Sequence, residues 1–285
     1  MDYTIAIVTG ILAGLHTSTW GMYKDSPHEG FTWPKYFRST IVSALFAPFL
    51  YWLFQQTAHP LDVTTSRGIF LLWGSVYVAE RGVVEVWKTF LRTEDQSKYF
   101  IPMQLSVLGR VVESKRDRYI AAFFYVGGIV AIGYGLVQFY NAYVSGSLTW
   151  SPYLILLILS VGGWVSAFGG AWKDAPLEGF ETFKFFRSPG VAYFYAFIAA
   201  LLTSNFIVIT CCSLGFTIAS IETYKTFFFP SRPRGKFQGK PILFPEMLEF
   251  RKGFAYLFVG VWIFVIVNAV RAFMAGPYSD ALVQF

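Results

Sequence analysis

The chain has 285 residues, of which 55% are hydrophobic, 20% aromatic and only 14% charged, where soluble domains carry about 25% charge. That balance excludes a disordered or ordinary soluble chain, and several apolar stretches are long enough to cross a bilayer, so the composition predicts an all-α polytopic integral membrane protein. The formal charge of +6 calls for no nucleic acid, because a basic rim on one side follows from membrane insertion and anionic lipid, and no nucleic-acid-reading module is present.

In chain order, the hydropathy predicts transmembrane helices at about 3–22, 40–56, 68–88 and 119–143, then at 152–172, 189–204, 206–226 and 253–274. The first stretch is too long for the apolar part of a signal peptide, and no convincing cleavage site follows it. The narrowest break is Thr203-Ser204-Asn205, a polar tip between two spans. With the amino terminus outside, segments 24–38, 88–118, 173–187 and 225–252 face the cytoplasm and hold 20 of the 23 lysines and arginines. Both termini are therefore expected outside, in a plasma or inner membrane.

The same polar string occurs twice. Gly21 to Ser39 reads GMYKDSPHEGFTWPKYFRS, and Gly170 to Ser188 reads GAWKDAPLEGFETFKFFRS, with 11 of 19 positions identical. A second pair follows in the same order, Glu85-Val86-Trp87-Lys88-Thr89-Phe90 and Glu222-Thr223-Tyr224-Lys225-Thr226-Phe227, and a weaker third, Phe100-Ile101-Pro102 and Leu243-Phe244-Pro245. The matches are charged and turn-forming, so shared greasiness does not explain them. They predict an internal duplication, residues 1–146 and 147–285, each with four spans. An even number of spans per repeat makes the halves parallel, related by an axis along the membrane normal.

Read as plain structure, Ser26, Pro27 and Glu29 fit a helix cap, a proline at the first helical position and a glutamate at the third. In the second copy Asp174 would cap in place of Ala175. The following Phe31, Trp33, Tyr36 and Phe37 suit a short interfacial helix on the cytoplasmic side.

Read as chemistry, the duplicated charges would line a cytoplasm-facing cleft. Asp25, Glu29, Asp174 and Glu178 are candidate magnesium ligands and acid–base groups, since carboxylate oxygens suit that ion. Lys24, Arg38, Lys173 and Arg187 are candidate phosphate holders. The pairs Glu85 with Lys88 and Glu222 with Lys225 each share one helix face and would add a carboxylate and a cation to each half. Glu80 and Arg81, deeper and present only in the first half, are further candidates for catalysis and substrate binding. His28 is a weaker candidate base, and His16 is expected to hydrogen-bond between helices. Adjacent Cys211 and Cys212 read as small helix-packing residues, and no cysteine–histidine spacing suggests zinc.

No glycine-rich Walker loop, Gly-x-Ser-x-Gly elbow or His-Glu-x-x-His motif is present. The aspartate patterns of membrane prenyltransferases and CDP-alcohol transferases and the CAAX-protease Glu-Glu pattern are missing too. Three functions fit these residues. The first is a membrane-embedded enzyme, a transferase with magnesium acting on a phosphate-bearing lipid or prenyl substrate. The second is a transporter or channel for an anionic solute, with Gly127, Gly128, Gly133 and Gly135 permitting close or broken helices. The third is a non-catalytic subunit whose partners are other membrane proteins or further copies of the chain.

Overall fold

A computed structural model describes residues 1–228 and 235–284. Ten α-helices are present among them: α1 (Asp2–Glu29), α2 (Trp33–Gln55), α3 (Ser66–Val86), α4 (Lys115–Val144), α5 (Pro152–Leu159), α6 (Val161–Glu178), α7 (Thr182–Ala200), α8 (Phe206–Phe227), α9 (Met247–Phe250) and α10 (Lys252–Ala275). The only described strands form a small antiparallel hairpin, Ser106–Val107 with Arg110–Val111. A single π-turn, Trp87–Leu91, extends α3.

Local chemistry fixes many of the helix starts. Thr65, Ser114 and Asn205 each accept a backbone N–H of the first turn, from Gly68, Asp117 and Val208 respectively. Pro34 and Pro152 occupy first-turn positions of α2 and α5, where the missing N–H costs nothing. Thr203-Ser204-Asn205 does separate two helices, and the Asn205 amide also donates to Thr57 Oγ1 at 2.9 Å.

Six helical segments are long and apolar enough to cross a membrane: α1, α2, α4, α5 with α6, α8, and α9 with α10. The chain is a helical membrane protein. Helices α3 and α7 cover the two remaining apolar stretches. The first carries Arg67, Glu80, Arg81 and Glu85, and the second is 19 residues long and includes Lys184 and Arg187.

Helix α3 is central, in contact with α1, α2, α8 and α10. Trp73 and Tyr77 on it are fully buried. The closest approach in the interior is between α3 and α8, where a Cβ added at Gly215 would lie 1.9 Å from the Gly74 carbonyl oxygen. Helix α4 sits at the edge of the bundle, with Phe123 and Phe124 exposed to what the membrane supplies. Its Gly127, Gly128, Gly133 and Gly135 have nothing within 4 Å, and the helix is unbroken. The close packing expected from those glycines is instead at Gly10, Gly14, Gly74, Gly163 and Gly215.

The capping arrangement expected at the repeated strings is also different. Ser26 and Pro27 lie in the last turn of α1, and α2 begins at Trp33. No separate interfacial helix intervenes. Pro27 cannot donate to the Tyr23 carbonyl four residues back, and Arg251 Nη1 donates to that oxygen instead, at 2.7 Å. In the second string α6 likewise runs through Pro176 to Glu178, and α7 starts at Thr182, with no side-chain cap from Asp174.

At the opposite end of the bundle the C-terminal tail is clamped. Arg67 donates to both carboxylate oxygens of Asp280 at 2.7 and 3.0 Å and lies over the Tyr278 ring. Partial burial opposes ionisation of Asp280, but the Arg67 guanidinium outweighs it and holds the carboxyl below its ordinary value.

Candidate functional site

Each repeated string forms an elbow between two helices. The backbone turns at Gly30 and Gly179, with φ of 71° and 82°, a region that favours glycine. Behind each turn the same ion pair closes the elbow: Lys35 to Glu29, and Lys184 to Glu178 at 2.6 Å. The spacing of glutamate, glycine and lysine in the strings is thus accounted for by a turn and its brace. Exposed Trp33 and Phe37 on one elbow, and Phe180, Phe183 and Phe186 on the other, form an aromatic outer face, as suits the headgroup level.

Between the elbows lies a cavity of about 280 Å³. Among the described residues its wall holds nine cations: Lys24, Lys35, Arg38, Arg81, Lys88, Arg92, Lys173, Lys225 and Lys236. Five carboxylates oppose them: Asp25, Glu29, Glu85, Asp174 and Glu222. Most of the residues singled out by the repeat are therefore gathered in one place, from both halves of the chain.

The carboxylates already have partners. Asp25 is paired with Lys236 at 2.8 Å, and Glu222 with Lys24 at 3.6 Å and Lys225 at 3.2 Å. Glu85 accepts from Arg81 at 2.7 Å and from Lys88 at 3.4 Å. Asp174 pairs with Lys184 at 3.1 Å. Glu29 also accepts from Tyr99 Oη at 2.8 Å. Burial and the Glu29 carboxylate push the Tyr99 phenol above its ordinary range.

The cations are not all satisfied. Among the described residues, neither Arg38 nor Lys173 forms an ion pair, and the Nε of Arg38 is buried without a hydrogen-bond partner. Lys173 Nζ donates to Met103 Sδ at 4.0 Å.

Three of the expected residues lie outside this cavity: Arg187, Glu178 and Glu80. Glu178 is tied to Lys184. Glu80 is fully buried behind the wall, both oxygens lacking a hydrogen-bond partner among the described residues, with Arg81 Nη1 at 3.8 Å. His28 is structural: its ring stacks on Phe237 and meets the Pro241 carbonyl at 2.8 Å. No group of three histidine, cysteine, aspartate or glutamate side chains among the described residues is placed to hold a metal ion.

A smaller cavity of about 160 Å³ adjoins the first, lined by Asp174, Glu181, Lys184, Arg187, Glu222 and Lys225 among others. Asp174, Glu222 and Lys225 are in both walls.

Beneath the larger cavity lies a layer of packed aromatic rings. Trp20, in the cavity wall, donates to Tyr77 Oη at 2.9 Å. His16 meets the same hydroxyl at 3.2 Å, packed among Trp73, Phe258 and Trp262.

Lys236, Tyr99 and Arg92 belong to the site but not to the repeat, so the duplication gave no hint of them. They come from the segments after α3 and α8, which are laced together by Phe100 N to Lys236 O at 2.7 Å and by Lys240 Nζ to Ser97 O at 2.7 Å. A cation-rich loop beside acidic repeat positions was the available signal. Comparison with known proteins brings no assignment: no family model, no curated protein and no solved structure matches this chain.

Proposed function

We propose that the chain is a membrane-embedded transferase whose cytoplasm-facing cavity binds the phosphate of a lipid or prenyl substrate. The reading includes eight spans in two parallel halves, α1 to α4 and α5 to α10, with both termini outside. It rests above all on one observation: nine cations face five carboxylates in the wall of the larger cavity. Unmatched charge at a membrane edge is expensive without a counter-ion, and a phosphate or diphosphate supplies it. Arg38 and Lys173, which lack ion pairs among the described residues, are the leading phosphate contacts. Magnesium would arrive with a diphosphate or nucleotide, because Asp25, Glu29, Asp174 and Glu178 are already engaged by lysines, with Lys184 shared between Asp174 and Glu178. The aromatic elbows would admit the apolar part of the substrate from the leaflet.

An enzyme is favoured over a carrier because the charge sits at one end of the bundle and His16, Trp73 and Tyr77 pack as a buried aromatic layer beneath it. The test is thermal unfolding of the purified protein with inorganic pyrophosphate or phosphatidate, with and without magnesium. A ligand at one hundred times its Kd stabilises the fold by about 2.7 kcal/mol. A raised midpoint in the wild type that Lys173→Gln diminishes supports the site. No shift with either compound, under either condition, removes the phosphate reading.

A further inference from the structure

The smaller cavity is a second copy of the larger one by residue as well as by place. Equivalent positions of the two strings line them: Asp25 and Asp174, Lys35 and Lys184, Arg38 and Arg187. In each string the lysine is consumed by its elbow, Lys35 on Glu29 and Lys184 on Glu178. In each string the arginine three residues on is left over. Among the described residues neither Arg38 nor Arg187 has an ion pair, and each has a buried Nε without a partner. Spaced three apart on a helix, lysine and arginine share a face, so the brace aims each arginine at its own cavity.

The cavities differ in charge. The larger has the surplus of cations described above, whereas the smaller has none: Lys184, Arg187 and Lys225 face Asp174, Glu181 and Glu222, and of these cations only Arg187 lacks an ion pair among the described residues. Its wall also includes Phe180 and Phe185. We infer that the smaller cavity is a second anion subsite, centred on Arg187, which takes a singly charged group on an apolar body, such as a phosphodiester. It would be filled while the larger cavity holds a multiply charged phosphate. Asp174, Glu222 and Lys225, common to both walls, then lie between two co-bound substrates. This inference rests on the phosphate reading of the larger cavity.

Calorimetric titration of the purified full-length protein separates the two. Wild type should bind inorganic pyrophosphate and, when saturated with it, should still bind dibutyl phosphate, a monoanionic diester. Arg187→Gln should weaken dibutyl phosphate at least tenfold and leave pyrophosphate within twofold. Arg38→Gln should do the reverse. Ala171→Phe, which fills the smaller cavity from a residue that lines it alone, gives the same answer as Arg187→Gln if that variant does not fold. If pyrophosphate binds but dibutyl phosphate does not bind the saturated protein, the second subsite is refuted and the first stands. Equal weakening of pyrophosphate by Arg38→Gln and Arg187→Gln refutes it too. No pyrophosphate binding by wild type removes the parent reading and this one with it.

Discussion

Gly215→Ala should be among the most damaging single-methyl additions this fold can receive. A Cβ there would stand 1.9 Å from the Gly74 carbonyl oxygen, and the obstacle is backbone, which cannot rotate aside. Ordinary contact begins at 3.4 Å, so α3 and α8 would have to part locally by about 1.5 Å, and overpacking of this kind costs roughly 3 kcal/mol or more. At about 2 °C per kcal/mol for a chain of this size, the unfolding midpoint should fall by about 6 °C. Gly74→Ala meets side chains first, the Phe216 ring at 2.7 Å and Cys212 Sγ at 2.8 Å, both buried, so its loss should be smaller than that at Gly215 but still about 2 kcal/mol. Gly128→Ala on α4 meets nothing within 4 Å and should change stability by less than about 0.5 kcal/mol. Thermal unfolding in detergent, followed by the fluorescence of the nine tryptophans, measures all three. A midpoint for Gly215→Ala no lower than that of Gly128→Ala would refute the close α3–α8 crossing.

Three further outcomes are expected. Asp280→Asn should lower the midpoint at neutral pH. Arg67 depresses the Asp280 pKa from its unfolded value near 3.8, so the advantage of wild type is present above that value and vanishes as pH falls through the lower folded one; a gap between the two proteins that widens in acid would refute the clamp. Arg118 is buried, with Nη1 on the Arg92 carbonyl at 2.8 Å and Nη2 on Thr93 Oγ1 at 3.0 Å, so Arg118→Met should cost about 2 kcal/mol and expose residues 93–111 to limited proteolysis. Asn205→Ala removes the cap on Val208 N and the bond to Thr57 Oγ1 and should cost about 1 kcal/mol in denaturation midpoints.

Much of the architecture was legible because membrane helices announce themselves through long apolar runs. Even the narrow break at Thr203-Ser204-Asn205 was readable, since three polar residues there cannot continue a span unnoticed. The ends were less legible. Pro27 reads locally as a helix start, yet α1 continues through it to Glu29, and Arg251 donates to the Tyr23 carbonyl that Pro27 leaves unpaired. Glycine frequency pointed to α4, whereas the close approach occurs at glycines with no local distinction. The candidate site was legible where duplication marked it, at Asp25, Arg38, Glu85 and their counterparts. Glu178 shows the limit: identity between copies preserved an elbow brace rather than a cavity wall. Lys236, Tyr99 and Arg92 were legible only as members of the basic loops 88–118 and 225–252, because irregular segments carry no periodicity and their individual roles depend on long-range closure.

The contacts of Arg251 and Lys236 with the end of α1 also set an order of assembly. Tyr23 and Asp25 are synthesised more than two hundred residues before the groups that satisfy them, Arg251 and Lys236. A nascent chain holding only the first four long helices has the acidic face of the larger cavity without the cation that neutralises Asp25. Maturation of the cavity therefore waits on translation of the last third of the chain, and ligand-binding competence reports on the whole polypeptide rather than on its first half.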